Sequence, residues 1–400
     1  MVTWEKKRLG DGILKVGHGK SQHEIESSSG KYPILATGGI IGKSDSYLYD
    51  KPSVLIGRKG TIDRPQYMDK PFWTIDTLFY TLINEEQCAK YIYYLFCTIN
   101  WNDYNEASGV PSLSSKVIEN MEVTIPDKPE QHRIAAALSD TDALITALER
   151  LIAKKRAIKQ GAMQELLTGK RRLPGFNGEW VEKKLGEVGI VTGSGVDKKV
   201  NEDEIPVTLL NYLDVYRYTY IKRSMLHQVV TAKREKLLQC NVQCGDVFFT
   251  PTSETADDIA RTAVAIEDMD DVVYSYHVVR LRPFDGYNGV FIKYACDTVD
   301  FTEQTARLAD GSGTRYIISL PNFREQLEIK IPPIHEEQSA IAEILSDMDA
   351  EIDKLTAKLS KLRGIKQGMM SELLTGRIRL IEQDATTNTE NLNAVAGRED

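Results

Sequence analysis

Arginine, lysine and hydroxyl side chains gather on two stretches whose pattern suits the reading of nucleic acid. The first is Lys51-Pro-Ser-Val-Leu-Ile-Gly-Arg-Lys-Gly-Thr61, where a strand predicted over Val54–Ile56 runs into a basic loop flanked by glycines. The second is Gly245-Asp-Val-Phe-Phe-Thr250, a predicted strand, followed by the loop Thr250-Pro-Thr-Ser-Glu-Thr255. Arginine can pair bidentately with guanine, and serine, threonine and lysine can position phosphates. The candidate DNA contacts are Lys43, Arg58, Lys59, Thr61 and Arg64 in the first region. In the second they are Thr250, Thr252, Ser253, Arg261 and Tyr276. The Arg58-Lys59 loop stands out, because flanking glycines let a backbone approach a ligand closely. Taken singly, each of these residues also fits an ordinary solvated loop.

Other chemistry is absent from the sequence. Thr37-Gly-Gly-Ile-Ile-Gly-Lys-Ser44 imitates a phosphate-binding P-loop, but Thr37 stands where the first glycine belongs. Pro52 also follows too soon for the helix such a loop must open. Cys240-x₃-Cys244 has the wrong spacing for a zinc knuckle, and His18, His23, His132, His227, His277 and His335 are too scattered for a metal site. Asp268, Asp270 and Asp271 lack the glycine and glutamate of a calcium loop and read as a solvated turn. No Gly-x-Ser-x-Gly elbow occurs, nor the Asn-Pro-Pro-aromatic motif of adenine methyltransferases. No catalytic residue and no metal site are assigned.

The elements that hold the basic loops are betrayed by an internal repeat. Between residues 130–173 and 337–380, 25 of 44 positions are identical, without a gap and at a constant offset of 207. Glu130-Gln131 returns as Glu337-Gln338, and Glu165-Leu-Leu-Thr-Gly169 as Glu372-Leu-Leu-Thr-Gly376. A shorter, weaker echo opens each half: Trp4-Glu-Lys-Lys-Arg-Leu-Gly10 and Trp180-Val-Glu-Lys-Lys-Leu-Gly186 share Trp-x-x-x-x-Leu-Gly. The regions between, 11–125 and 187–332, show no clear likeness to each other.

Within the repeat, apolar residues alternate in steps of four and three, a heptad seam. In the first copy it runs through Ile134, Leu138, Thr141, Ile145, Leu148 and Ile152, then Lys155, Lys159, Ala162 and Leu166. In the second it runs through Ile341, Leu345, Met348, Ile352, Leu355, Leu359 and Leu362, then Lys366, Met369 and Leu373. No proline interrupts either run. Glu130 and Glu337 suit helix N-termini, and Gly169 and Gly376 suit helix stops. Each helix should span about 39 residues, roughly 58 Å at 1.5 Å per residue. An insert that leaves one helix and returns to the other is shortest if the helices pair antiparallel.

The expected fold is therefore α/β (α+β): two globular domains joined by two long helices forming an antiparallel coiled coil. The expected boundaries are 1–128 and 173–334 for the domains, 129–172 and 335–380 for the helices, and 381–400 for a disordered tail. The composition suits this, with 42% hydrophobic and 27% charged residues and a formal net charge of −8. The charge argues weakly against nucleic acid, but such a partner answers to local charge. No run of about 18 apolar residues suggests a membrane span. The charged start lacks a secretory signal's apolar region, so a cytoplasmic protein is expected. Five scattered cysteines suggest free, buried thiols.

This layout resembles the DNA-specificity subunit of Type I restriction–modification systems. The likeness rests on the two Glu-Gln-x-x-Ile-Ala helix starts, the paired Leu-Leu-Thr-Gly endings, Leu55-Ile-Gly-Arg-Lys-Gly60, Gly245-Asp-Val-Phe-Phe-Thr250 and His277-Val-Val-Arg-Leu-Arg-Pro283. The resemblance implies that each insert is a target-recognition domain reading half of a bipartite, asymmetric site in double-stranded DNA. It implies a helix pair that sets the gap and docks two modification (methyltransferase) subunits. Ile134, Leu138, Ile145, Leu148, Ile341, Leu345, Ile352, Leu355 and Leu359 would form the coiled-coil and partner interface. Restriction subunits would join and cleave. This chain would carry no cofactor; S-adenosylmethionine, ATP and Mg²⁺ are expected on the partners. Half-site centres about one turn apart, ~34–36 Å, would let both domains meet one side of the duplex. Two other readings exist: a coiled-coil adaptor that binds no DNA, and a nuclease acting alone. Salt-dependent duplex binding separates the first, and cleavage by the purified chain the second.

Overall fold

The computed structural model describes residues 4–22, 26–313 and 315–380. The tail expected to be disordered lies outside the described residues, as do His23 and the first three residues. The chain forms two units. Unit 1 comprises Met1–Arg150 and Ala357–Asp400, and unit 2 comprises Leu151–Thr356. The long helices are Lys128–Leu166 and His335–Leu373, each of 39 residues. Each helix therefore gives part of its length to each unit.

In unit 1, strand Glu5–Arg8 pairs antiparallel with Glu122–Ile125, which leads into the first long helix. A four-stranded antiparallel sheet follows the order Leu14–His18, Leu78–Ile83, Ser53–Gly57, Gln66–Met68. A smaller sheet holds Gly39–Ser44, Tyr32–Ala36 and Trp73–Thr74. In unit 2, Val181–Lys184 pairs antiparallel with Glu328–Ile331, just before the second long helix. Its main sheet runs Gly189–Thr192, Val279–Pro283, Val247–Phe249, Thr262–Ala265, Tyr220–Ile221. The first four strands of that order repeat the arrangement of unit 1. Unit 2 then adds a second sheet, of Val229–Ala232, Ile205–Leu210, Met269–Tyr274 and Asn241–Val242, with its own core around Leu209, Phe248 and Val273.

The inserts, dissimilar as sequences, thus share a frame. Its likeness lies in backbone contacts that constrain few side-chain types. Gly10 and Gly186 are an exception: a Cβ there would sit 3.0 Å from the Glu119 carbonyl oxygen and 2.8 Å from that of Arg324. Those carbonyls belong to matching short helices, Ser115–Asn120 and Leu320–Glu325, capped by the Ser114 and Ser319 hydroxyls. Trp73–Thr74 and Leu78–Ile83 are separate strands broken by a turn, and so are Met269–Tyr274 and Val279–Pro283. All five cysteines are free, but Cys97 and Cys244 are exposed rather than buried. Two of the three acidic residues are also engaged: Asp268 accepts the Cys244 N–H at 2.9 Å, and Asp271 pairs with Arg223 at 2.7 Å.

Each unit is closed by the same lock, built where one long helix starts and the other has just ended. In unit 1 the buried Glu130 carboxylate accepts two bonds from Arg379, Nε at 2.7 Å and Nη2 at 2.6 Å. In unit 2 Glu337 accepts Arg172 Nε and Nη2, both at 2.7 Å. The repeat offset of 207 maps one pair onto the other. The neighbouring glutamines repeat too. Gln131 accepts Cys88 N–H at 2.9 Å and donates to Pro126 O at 2.9 Å. Gln338 accepts Asn288 N–H at 2.8 Å and donates to Pro332 O at 2.9 Å. The indoles complete the lock. Trp4 lies 3.1 Å from where a Gly376 Cβ would stand, and Trp180 3.3 Å from one on Gly169. Both glycines have positive φ, +73° and +70°, which favours glycine after a helix. The Trp and Leu-Leu-Thr-Gly motifs therefore explain each other.

Between the locks, all ten seam positions of each helix are buried or half-buried, while most others face solvent. Ile134 and Leu138 also enter the core of unit 1, beside Leu373; Ile341 and Leu345 enter that of unit 2, beside Leu166. Leu148, Ile152, Ile352 and Leu359 are buried, and Ile145 and Leu355 half-buried. These side chains are turned inward, so the seam is not a face on which a partner could dock. Ion pairs show the direction of packing within each unit. In unit 1 Lys366 meets Asp142 at 2.6 Å and Arg363 meets Glu149 at 2.6 Å. In unit 2 Lys155 meets Glu351 at 2.7 Å and Lys159 meets Asp349 at 2.5 Å. In both units residue numbers fall on one segment as they rise on the other, so the segments run antiparallel. A buried Leu or Ile contributes about 1.5–3 kcal/mol. An exposed pair such as Arg363–Glu149 contributes at most about 1 kcal/mol. The seam stabilises; the charges favour one register.

Burial works against ionisation of Glu130, but Arg379, the Leu380 N–H and the Trp4 indole together hold its carboxyl below the usual 4.5. Arg379→Ala would strand that carboxylate and is expected to cost about 3 kcal/mol at pH 7, the low end for a broken buried pair because Arg379 is partly exposed. A depressed carboxyl stabilises fully above its unfolded value and loses that contribution as pH falls below it. Urea unfolding of wild type and Arg379→Ala should therefore converge on acidification below about pH 4.5.

Candidate nucleic-acid interface

The strand Ser53–Gly57 is buried along its whole length, which fixes where the next residues emerge. Beyond it the chain turns sharply. A Cβ on Gly57 would stand 2.1 Å from the Thr61 carbonyl oxygen, and Gly60 has φ +91°. Both glycines are thus required by the turn itself, and not to admit a ligand as the sequence suggested. The turn is pinned by Arg58 N–H to Thr77 O (2.8 Å), Gly60 N–H to Pro111 O (2.9 Å) and Leu113 N–H to Arg58 O (2.9 Å). Arg58 also donates Nη1 to Asp76 O at 3.3 Å. Lys59 and Arg64 are exposed, and Thr61 is half-buried.

A hairpin abuts this loop. Tyr32–Ala36 and Gly39–Ser44 turn at Thr37-Gly38, so the P-loop imitation is a β-hairpin with no helix behind it. Gln66 fixes its tip, donating to Ala36 O at 2.9 Å and Thr37 O at 3.3 Å. The Thr37 hydroxyl lies 3.9 Å from where a Gly60 Cβ would be. Lys43 is exposed on the second strand. Structure therefore joins Lys43, Arg58, Lys59 and Arg64 to a third segment, the loop that carries Val110 and Pro111.

Unit 2 builds the corresponding place differently. Ile318 N–H donates to Pro251 O at 3.0 Å, the counterpart of Leu113 to Arg58. Pro251 and Thr252 thus occupy the positions of Arg58 and Lys59. Thr252 and Ser253 form a strand that pairs with Ile317 and Tyr316, and both are half-buried. Thr250 is fully buried, and its hydroxyl accepts Arg261 N–H at 2.9 Å. It holds its own turn and is removed from the DNA candidates. Arg261 remains exposed but is tied to Asp258 at 2.5 Å. Tyr276 is exposed, its ring 3.9 Å from that of His277. Burial, Lys198 and Arg315 all hold the His277 imidazole below its usual range. Lys198 and Arg315 thus lie close enough to act on His277, opposed by Asp197, though neither cation stood out in the sequence; Arg315 is carried by the hairpin Asp310–Ser312/Arg315–Ile317.

Each unit also carries a groove beside the end of a long helix. In unit 2 it has a volume of about 500 Å³ and is floored by Met163, Leu167, Val299 and Ile329. In unit 1 it has a volume of about 450 Å³ and is floored by Leu95, Ile99, Val123 and Leu374. The rims repeat as well, with Thr168 and Thr298 in one and Thr375 and Thr98 in the other.

The chain matches the sequence profile of the Type I restriction modification DNA specificity domain over residues 1–160 and 177–363. It belongs to that family, the specificity subunits of Type I restriction–modification systems. The specificity subunit of the Type I restriction enzyme MjaVIII from Methanocaldococcus jannaschii is 25% identical, over 94% of this chain and 93% of its own. Among solved structures, the Type I S subunit of M. genitalium has a TM-score of 0.65 at 17% identity, covering 93% of this chain and 96% of its own. A chain from a study of complex assembly and conformational transition in the Type I system gives 0.53 at 14%, covering 93% and 97%. These two likenesses establish the mixed helix-and-strand fold. Among the described residues no helix is long and apolar enough to cross a membrane.

Two glycines of the candidate surface give a direct test. Gly57→Ala forces the Thr61 carbonyl to move and is expected to cost about 1–3 kcal/mol. Gly38→Ala, with nothing within 4 Å of its new methyl, should stay within about 0.5 kcal/mol of wild type. Thermal unfolding of the two variants checks the difference.

Proposed function

We propose that each unit reads one half of a bipartite, asymmetric site in double-stranded DNA, and that the paired helices set the unspecified gap between the halves. The observation that carries this reading is the pair of equivalent turns held by the same backbone bond. One presents Arg58-Lys59 and the other Pro251-Thr252. A shared frame with different side chains at the reading position recognises two different words. The contacts are assigned to Lys43, Arg58, Lys59, Thr61 and Arg64 in unit 1. In unit 2 they are assigned to Thr252, Ser253, Arg261 and Tyr276, joined by Lys198 and Arg315. The domain boundaries expected from the sequence, 1–128 and 173–334, serve this division of labour.

What the halves share should serve what is the same on both sides. The two grooves have matching floors and rims, and they suit two copies of one partner. We assign that partner as an adenine-N6 methyltransferase subunit carrying S-adenosylmethionine. Restriction subunits, with ATP and Mg²⁺, would add cleavage. In this assembly the chain selects DNA and its partners perform the chemistry, in the cytoplasm where the chromosome lies.

The test uses the tagged chain recovered from its host with its bound subunits, and selection of duplexes from a random pool. Arg58→Ala is expected to relax one half of the selected word by a discrimination of about 1–3 kcal/mol and to leave the other half intact. Uniform weakening on every sequence, with a salt slope reduced by about one, would make Arg58 a phosphate anchor instead. A wild-type complex that selects no two-part word would refute the reading.

A further inference from the structure

The hairpin of unit 1 carries an apolar feature that neither core explains. Its pairing is Ile34 with Gly42 and Leu35 with Ile40, which leaves Ile41 as an extra, unpaired residue. A strand normally sends successive side chains to opposite faces, so one of two neighbours is buried. The bulge breaks that rule on both strands. Ile34 and Leu35 are both buried, at 0% and 2% exposure, while Ile40 and Ile41 both face solvent, at 67% and 48%. Bulges re-aim side chains beside functional sites. Here the bulge sets two branched apolar side chains side by side on the edge strand of a three-stranded sheet.

The surroundings decide what meets them. The tip is pinned by Gln66 and touches the Arg58–Thr61 turn through Thr37. Lys43, Arg58, Lys59 and Arg64 lie on this hairpin and the adjoining turn, and none of the four is held in an ion pair among the described residues. Asp45, Asp63 and Asp76 are also on these segments, but Arg58 bonds the Asp76 backbone carbonyl rather than its carboxylate. An apolar tip ringed by unpaired cations complements a polyanion with an apolar interior. A stacked duplex is such a partner, and Gly39–Ser44 is the edge strand of its three-stranded sheet, so its outward side chains are open to a groove. Isoleucine is among the side chains that unstack base steps by wedging between them.

We propose that Ile40 and Ile41 form a wedge that enters the DNA half-site read by unit 1 and unstacks one base step. This rests on the DNA-reading function proposed above and deepens it. The cations hold the backbone on either side, and the wedge converts the ease of parting one step into sequence preference, because pyrimidine–purine steps yield most readily. Unit 2 has the second sheet of Ile205–Leu210 and its neighbours between the corresponding strands. The wedge is therefore a property of one half-site only.

The experiment compares the host-derived complex containing wild-type chain with complexes containing Ile40→Ser/Ile41→Ser and Ile40→Val/Ile41→Val. Each is bound to the duplex the wild type selects, with 2-aminopurine substituted in turn at each purine position of both half-sites. Wild type should raise the fluorescence at one step of a single half-site. The Ser pair should abolish that rise and bind the selected duplex at least tenfold more weakly, with unselected duplex bound as before. The Val pair, still apolar and branched, should restore most of both. Both side chains are exposed, so the substitutions leave the fold intact, which circular dichroism checks. Unchanged fluorescence and affinity in the Ser pair would overturn the wedge while leaving the two-part reading standing. Equal weakening on all duplexes would also overturn it, making the tip a general contact. Loss of the bound subunits from the Ser pair would overturn it in favour of a protein-docking tip. A wild-type complex that selects no word would overturn the DNA function itself, and the wedge with it.

Discussion

A buried glutamate at the start of one long helix needs a cation, and that cation comes from just beyond the end of the other. This constraint, met by Glu130 with Arg379 and by Glu337 with Arg172, underlies the rest of the architecture. A carboxylate at 0–1% exposure without its partner is strongly unfavourable. Neither unit can therefore close until both long helices have reached it. The cores obey the same rule. Unit 1 is completed by Leu373 from the second helix, and unit 2 by Leu166 from the first. Residues 249 apart in unit 1 and 165 apart in unit 2 thus become part of one folded element.

The locks are reinforced a few turns along by a second repeated cluster. Tyr94 donates to Asp142 at 2.7 Å while Lys366 pairs with the other oxygen. Tyr294 donates to Asp349 at 2.6 Å while Lys159 does likewise. Burial first, with the adjacent carboxylate adding to it, pushes the pKa of both phenols up, so both hydroxyls remain donors at neutral pH. Seam positions filled by lysine are thereby satisfied rather than stranded. They also penalise a slipped register, since a shift of one heptad would bring each lysine beside the wrong residue. Duplication of these costly polar clusters implies that both helix ends must be positioned equally well.

Much of this was legible in the sequence. The gapless repeat and the heptad steps specify the long helices and their starts to within a residue, but the helices end at Leu166 and Leu373, six and seven residues before the expected 172 and 380. The common frame of the inserts was not legible. Its equivalences are backbone bonds, such as Leu113 to Arg58 and Ile318 to Pro251, and a backbone bond leaves no signature in residue type. Exposure on the candidate surface was legible in part. Arg58, Lys59 and Arg64 stand exposed or half-exposed on a turn, but Thr250 does not, because a hydroxyl that serves its own turn looks the same in sequence as one that serves a ligand. Gly57 and Gly60 were found for the wrong reason: a close carbonyl and a left-handed turn require them. Arg315 and Lys198 escaped notice because only folding brings them to His277.

The proposed function requires that one duplicated frame hold two unlike reading surfaces at a separation set by the helices. The most direct measurement inserts one seam-preserving heptad after Ala153 and another after Thr356, facing positions by the antiparallel register. Methylated adenines are then mapped in a host carrying the altered chain. Seven residues add about 10.5 Å of helix. Both half-words should be unchanged and the unspecified gap longer, by at most about three base pairs at 3.4 Å each. An unchanged gap between the same half-words would contradict the claim.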